Sequence, residues 1–151
     1  MRLSRTLLAM LPDAQKAVQT LYASAHQSGA PVTVLHLVHL RASQINGCSA
    51  CVASGAKEMR KAGETDERLD TVSAWRETPY FTGAERAALA LAEAATRLAD
   101  NSVGVPDDVW DAAKAHFDEP ALAGIVLWIA TTNFFNRLNA TLHHPAGAPW
   151  F

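Results

Sequence analysis

Apolar residues recur at spacings of three and four along almost the whole chain, and no run sustains a two-residue alternation of apolar and polar residues. Spacings of three and four place apolar side chains on one face of an α-helix, whereas alternation would indicate a half-buried strand. The pattern therefore predicts an all-α protein. A length of 151 residues suits one domain with its own core, so we expect residues 1–151 to form a single helical domain.

Start and stop signals divide this pattern into about six to seven helices. Prolines mark several starts, and Thr82 with Glu85 has the spacing of a capping box. The predicted helices begin near Pro12, Pro31, Ser49, Asp66, Thr82, Pro106 and Pro120. The last helix is expected to end near Leu142, and the tail 145–151 is expected to be irregular.

Composition and charge exclude several classes of partner. A net charge of −2 and a pI of about 6.3 give no reason to expect binding to nucleic acid or to an anionic membrane surface. No segment has the roughly 20 consecutive apolar residues that span a bilayer, and the first apolar run is too short for a secretion signal. We therefore expect a cytoplasmic protein. Because 49% of the residues are hydrophobic, some apolar surface is expected to pair with another subunit.

The chain has two cysteines, Cys48 and Cys51, and they are three residues apart. They follow the helix-breaking pair Asn46-Gly47, at the first turn of a predicted helix. The unpaired N–H groups of a helix start favour thiolate over thiol. Two thiols at this spacing can close a small disulfide, open it by exchange, or bind a metal.

Two histidines precede this pair on the helix before it. His36 and His39 lie about one turn apart, so they could fold back toward the sulfurs and act as bases. They could equally be ordinary surface residues. A further alternative is a zinc site made by His36, His39, Cys48 and Cys51, which are ligand types that zinc accepts. The residue types alone leave these alternatives open.

The stretch 37–51 closely resembles the core motif of the alkylhydroperoxidase D and carboxymuconolactone decarboxylase family. The similarity covers about residues 30 to 147. Further matching segments lie at 61–64, 69–79, 85–91 and 129–139. The resemblance implies an all-helical fold that assembles into homo-oligomers, often trimers or hexamers.

The resemblance also implies a thiol-dependent peroxidase activity without a bound cofactor. Cys51 would attack the hydroperoxide and become a sulfenic acid, and Cys48 would condense with it to a disulfide. A dithiol partner, either a lipoyl-carrying protein or a thioredoxin-like reductase, would then restore both thiols. The decarboxylase members of the family typically lack the cysteine pair, so lactone decarboxylation is disfavoured.

Three positions depart from the family pattern. The family's peroxidases have a glutamate and a histidine where this chain has His36 and Gly55, and they often have a histidine where it has Ala50. His36 is therefore the candidate base for Cys51. The alternative is a non-catalytic redox or binding protein of the same fold. Asn133, Asn136 and Asn139 are expected to make structural hydrogen bonds.

Overall fold

A computed structural model describes residues 1–148 of the chain. These residues form eight α-helices and two 3₁₀ helices, and no strand occurs among them. The α-helices are α1 (Leu7–Met10), α2 (Pro12–His26), α3 (Val32–Ile45), α4 (Ser49–Lys61), α5 (Asp66–Thr71), α6 (Gly83–Thr96), α7 (Asp107–Lys114) and α8 (Glu119–Leu142), and the 3₁₀ helices are Val72–Glu77 and Leu98–Asp100. The all-α prediction is confirmed.

The predicted count of about six to seven helices is too low, because α1 has no counterpart in the sequence prediction. Thr6 begins this four-residue helix by accepting a hydrogen bond from the Ala9 N–H. So short a helix is unstable alone, but Leu8 is buried against Val18 and Phe135. Its stability thus comes from contacts far along the chain, which the local pattern does not contain.

The other helix ends follow the signals in the sequence. The capping box is present: Thr82 accepts from the Glu85 N–H, and the Glu85 carboxylate accepts from the Thr82 N–H. The Asp118 side chain caps α8 by accepting from the Ala121 N–H. Residues 145–148 are irregular, as predicted, while 149–151 of the predicted tail lie outside the described residues.

Helix α3 is the centre of the fold, packed against α4, α6 and α8. Its residues Val34, Leu35 and Val38 belong to one apolar core, and Leu37 and Leu40 belong to a second. Because apolar residues face both cores, α3 is fixed on nearly every side. The segment that precedes the cysteines therefore starts from a rigid position.

A buried ion cluster joins α3 to α6. The Glu93 carboxylate accepts hydrogen bonds from Arg41 (2.7 Å), from the Trp75 indole (3.0 Å) and from Arg76 (2.5 Å). Arg41 and Glu93 are both 9% exposed. These charge-assisted bonds hold the last turns of α3 in place.

Within residues 1–148, no helix is long and apolar enough to span a bilayer.

Candidate redox site

The two cysteines occupy a tight corner between α3 and α4. Gly47 has a φ of +64°, a conformation that glycine adopts without steric cost. Cys48 is the N-cap of α4, and its sulfur accepts a hydrogen bond from the Cys51 N–H at 3.4 Å. The two sulfurs are joined in a disulfide. Both residues are almost completely buried, at 2% and 0% exposure.

Asparagine side chains attach this corner to α8. The Asn46 amide donates to Asn133 Oδ1 (2.9 Å) and to Asn136 Oδ1 (2.8 Å). Asn136 in turn donates to Ser43 Oγ at 3.1 Å. Buried polar groups that are satisfied in this way fix a specific geometry. As expected, Asn133 and Asn136 make structural hydrogen bonds.

Asn139, one turn further along α8, contacts the redox pair itself. Its Nδ2 donates to Cys51 Sγ at 3.3 Å and to Cys48 Sγ at 3.6 Å. An N–H donor aimed at a sulfur stabilises a thiolate more than a neutral thiol. This side chain can therefore assist thiolate formation once the disulfide is reduced. The purely structural interpretation of Asn139 was incomplete.

His39 lies against the same corner. Its Nδ1 is 3.1 Å from Thr132 Oγ1, its ring stacks on Trp128, and it hydrogen-bonds to the backbone of Cys51. Burial lowers the pKa of His39 from 6.5 to about 4, only partly offset by the hydrogen bond to Cys51. His36 and His26 lower this pKa further through charge repulsion. The ring is therefore neutral at pH 7.

His36 lines an adjacent cavity of about 210 Å³. The other lining residues are Tyr22, His26, His39, Ser54, Gly55, Glu58, Trp128 and Phe135. Burial is the main cause that lowers the pKa of His36, and no partner for its Nδ1 is found among residues 1–148. Cys51 is not part of the cavity wall. His39, rather than His36, is the histidine that contacts Cys51.

The zinc alternative is not supported by the described part of the chain. No group of three or more histidine, cysteine, aspartate or glutamate side chains is placed to hold a metal ion there. The disulfide engages both sulfurs with each other. The four proposed ligands, His36, His39, Cys48 and Cys51, thus do not form a common metal site.

The sequence interpretation expected Asn139 to make hydrogen bonds but did not assign them to the cysteines, and it did not identify Thr132 at all. A signal was present for one of them, since Asn133, Asn136 and Asn139 recur every three residues and so share a face of α8. Thr132 had no comparable signal. A threonine in an apolar helix is common, and its role depends on which residue α3 places opposite it.

The chain matches the family model of the carboxymuconolactone decarboxylase family over residues 12–94. It is 31% identical to the uncharacterized protein YdfG of Bacillus subtilis (strain 168) over 137 residues, which cover 91% of this chain and 92% of YdfG. It is 32% identical to the uncharacterized protein YnjA of Escherichia coli (strain K12), over 75% of this chain and 60% of YnjA.

Solved structures show the same fold. A protein of unknown function from Agrobacterium tumefaciens, suggested to be the antioxidant defence protein AhpD, superposes with a TM-score of 0.88 at 33% identity, over 98% of this chain and 99% of that chain. The debrominase Bmp8 superposes with a TM-score of 0.80 at 22% identity, over 93% of this chain and 75% of its own. The described residues thus have an AhpD-like fold.

Proposed function

The chain belongs to the carboxymuconolactone decarboxylase family, and from this membership and its redox pair we propose that it is a thiol-dependent peroxidase of the alkylhydroperoxidase D type. The observation that carries the proposal is the Cys48–Cys51 disulfide at the first turn of α4, with Asn139 donating to both sulfurs. A disulfide across three residues in a helix start is well placed to open and close.

In the proposed reaction the Cys51 thiolate attacks one oxygen of a hydroperoxide. An S–O bond forms and the O–O bond breaks, which gives a sulfenic acid on Cys51 and, after one proton is added, an alcohol. The Cys48 thiol then displaces water from the sulfenic acid and forms the disulfide. A reduced dithiol exchanges with this disulfide, becomes oxidised itself, and returns both cysteines to thiols.

One feature of the site supports Cys51 as the attacking residue. Both cysteines lie at the N-terminal end of α4, where the helix dipole stabilises negative charge by about 0.3–1 kcal/mol, and the Cys48 sulfur also accepts the Cys51 N–H, so the helix start does not distinguish them. Asn139 approaches Cys51 more closely than it approaches Cys48, at 3.3 Å against 3.6 Å. This donor favours the Cys51 thiolate in the reduced protein.

The cavity suggests the class of hydroperoxide. Ser54 and Gly55, which line it, follow Cys51 by about one turn of α4, and most of the wall is aromatic or apolar. A volume of about 210 Å³ suits a small organic group. We therefore propose small organic hydroperoxides as substrates, with the organic group in this cavity.

Family membership also supports the proposed partners and setting. The proposed reductant is a dithiol protein, either lipoyl-carrying or thioredoxin-like. The protein itself would be a single domain that acts in the cytoplasm. A homo-oligomer, trimer or hexamer, would cover exposed apolar residues of α2 and α8, including Leu21, Tyr22, Val126 and Phe134. Light scattering should then give the mass of a trimer or of a hexamer of the 16.2 kDa chain.

The proposal is tested by following the consumption of cumene hydroperoxide with dihydrolipoamide as reductant. Wild-type protein should turn over, whereas Cys51→Ser should fall to the background rate because no attacking thiol is left. Cys48→Ser is the matched control. It should consume about one hydroperoxide per chain and accumulate a Cys51 sulfenic acid that dimedone traps, because the resolving thiol is missing.

Two outcomes would contradict the proposal. One is a wild-type rate equal to that of Cys51→Ser for every hydroperoxide tested. The other is dimedone labelling at a residue other than Cys51. A protein that still exchanged its disulfide with dihydrolipoamide but consumed no peroxide would instead be a redox carrier of the same fold.

A further inference from the structure

Gly55 stands where the family's peroxidases have a histidine, and the structure shows what fills that space. A Cβ added to Gly55 would lie 3.0 Å from Cδ2 and 3.4 Å from Nε2 of His39. The nearest of these distances is shorter than ordinary carbon–carbon contacts. The imidazole of His39, which comes from α3, therefore occupies the volume that a side chain at position 55 would take.

The ring is held in this space on several sides. Thr132 lies at hydrogen-bond distance from Nδ1, the Cys51 backbone bonds to the ring, and Trp128 stacks on it with centroids 5.7 Å apart. A hydroxyl and a carbonyl can both accept from an imidazolium. Both polar neighbours are thus able to satisfy the protonated ring.

We propose that His39 supplies the imidazole that takes up the Cys51 proton, in the space that Gly55 leaves open. The inference rests on the proposed function for its role in peroxide turnover. The proton lost by the Cys51 thiol is held on the His39 ring, with Nδ1–H donating to Thr132 Oγ1. After the O–O bond breaks, that proton passes to the departing alkoxide, which leaves as the alcohol.

The charges around the ring are consistent with this role. The disulfide carries no charge, so in the oxidised protein it does not favour a protonated His39 ring. Burial and the nearby His36 and His26 all lower the pKa of His39. Reduction allows a thiolate to form at Cys51, the residue whose backbone bonds to the ring. An adjacent negative charge raises a histidine pKa. Glu58, which also lines the cavity, acts in this direction on the neighbouring His36, whose pKa it raises.

The first test uses the wild-type protein, so it does not depend on how a variant folds. The His39 Cε1–H resonance is titrated by NMR in the oxidised and in the fully reduced protein. The His39 pKa should be higher by about one unit or more in the reduced protein, since an ion pair at this range commonly shifts a pKa by 1–3 units. Equal pKa values in the two redox states would overturn the proposal.

The second test compares variants on a Cys48→Ser background, in which Cys51 is the one remaining thiol. The pH profile of alkylation by iodoacetamide should move to higher pH in His39→Ala, and a matched His36→Ala variant should change it much less. In the otherwise wild-type chain, His39→Ala should slow peroxide turnover about 100-fold, which is within the usual contribution of a positioned acid–base group.

The double variant His39→Ala/Gly55→His returns an imidazole to the same space from α4. It should recover much of the alkylation profile and of the turnover, which a merely structural role for His39 would not predict. An unchanged profile in His39→Ala, or a larger shift in His36→Ala, would overturn the inference. If the wild type turns over no peroxide, the proposed function fails, while the NMR and alkylation results still decide the role of His39.

Discussion

The neutrality of His39 links its position to the stability of the protein. Its pKa is lowered to about 4, mainly because burial disfavours the charged ring. An unfolded chain has a histidine pKa near 6.5, so between these values the unfolded state binds a proton that the native state does not. Stability must therefore be lost as the pH falls through this window.

At the residue scale we predict that the free energy of unfolding of the oxidised protein falls by about 2 kcal/mol between pH 7.5 and 5, owing to His39 alone. Urea unfolding at several pH values measures it. His36, whose pKa is also lowered, adds a slope of the same sign. His39→Gln should have a visibly flatter dependence than the wild type. Parallel curves for the two proteins would contradict the prediction.

The sequence located the thiols but not the polar contacts of the thiols and of His39. Cys48 and Cys51 could be identified because two cysteines at a helix start are a local pattern. The hydrogen bonds of Asn139 and Thr132 join residues about 90 positions apart. Such contacts depend on how α3, α4 and α8 pack, which no local spacing encodes.

At the scale of elements, the orientation of α3 depends on an ion cluster in its second half. Arg41 has little exposure to water, so its charge is compensated mainly by Glu93, which also receives hydrogen bonds from Trp75 and Arg76. Removing one partner of a buried ion pair leaves the other charge desolvated without compensation. Glu93 therefore fixes α3 against α6 one to two turns before the cysteines.

We predict that Glu93→Ala lowers the free energy of unfolding by about 3–5 kcal/mol. Urea unfolding at pH 7 provides the measurement. The matched control is Arg60→Ala, which breaks the exposed Arg60–Asp66 pair (53% and 72% side-chain exposure) and should cost less than about 1 kcal/mol. Equal costs for the two variants would show that Arg41 is well solvated without Glu93.

Most helices could be predicted, because their prolines, caps and apolar faces are local. The apolar spacing in α3 puts Val34, Leu35 and Val38 on one face, and all three are buried. On α2 the same pattern was less informative: Val18 is buried, but Tyr22 is 50% exposed. An apolar stripe predicts that one face of a helix is covered. In a single chain, only the part of that face that packs against the chain's own helices is buried.

At the scale of the whole molecule, the fold does not depend on the disulfide as a staple. Two apolar cores on either side of α3 contain most of the buried side chains, and the cysteines form a small separate cluster. A crosslink stabilises a protein mainly by restricting the unfolded chain, and the restriction grows with the length of the closed loop. A sequence separation of 3 closes a very short loop.

We therefore predict that reduction lowers the free energy of unfolding by no more than about 2 kcal/mol. Urea unfolding at pH 7, with and without dithiothreitol, measures this difference. The double variant Cys48→Ser/Cys51→Ser should be insensitive to dithiothreitol, which separates loss of the disulfide from other effects of the reductant. A reduced protein that unfolds at 25 °C would contradict the prediction. In the proposed peroxidase reaction the pair would open at every turnover, so the native fold would have to stay intact when the pair is open. A short loop beside two apolar cores meets that requirement.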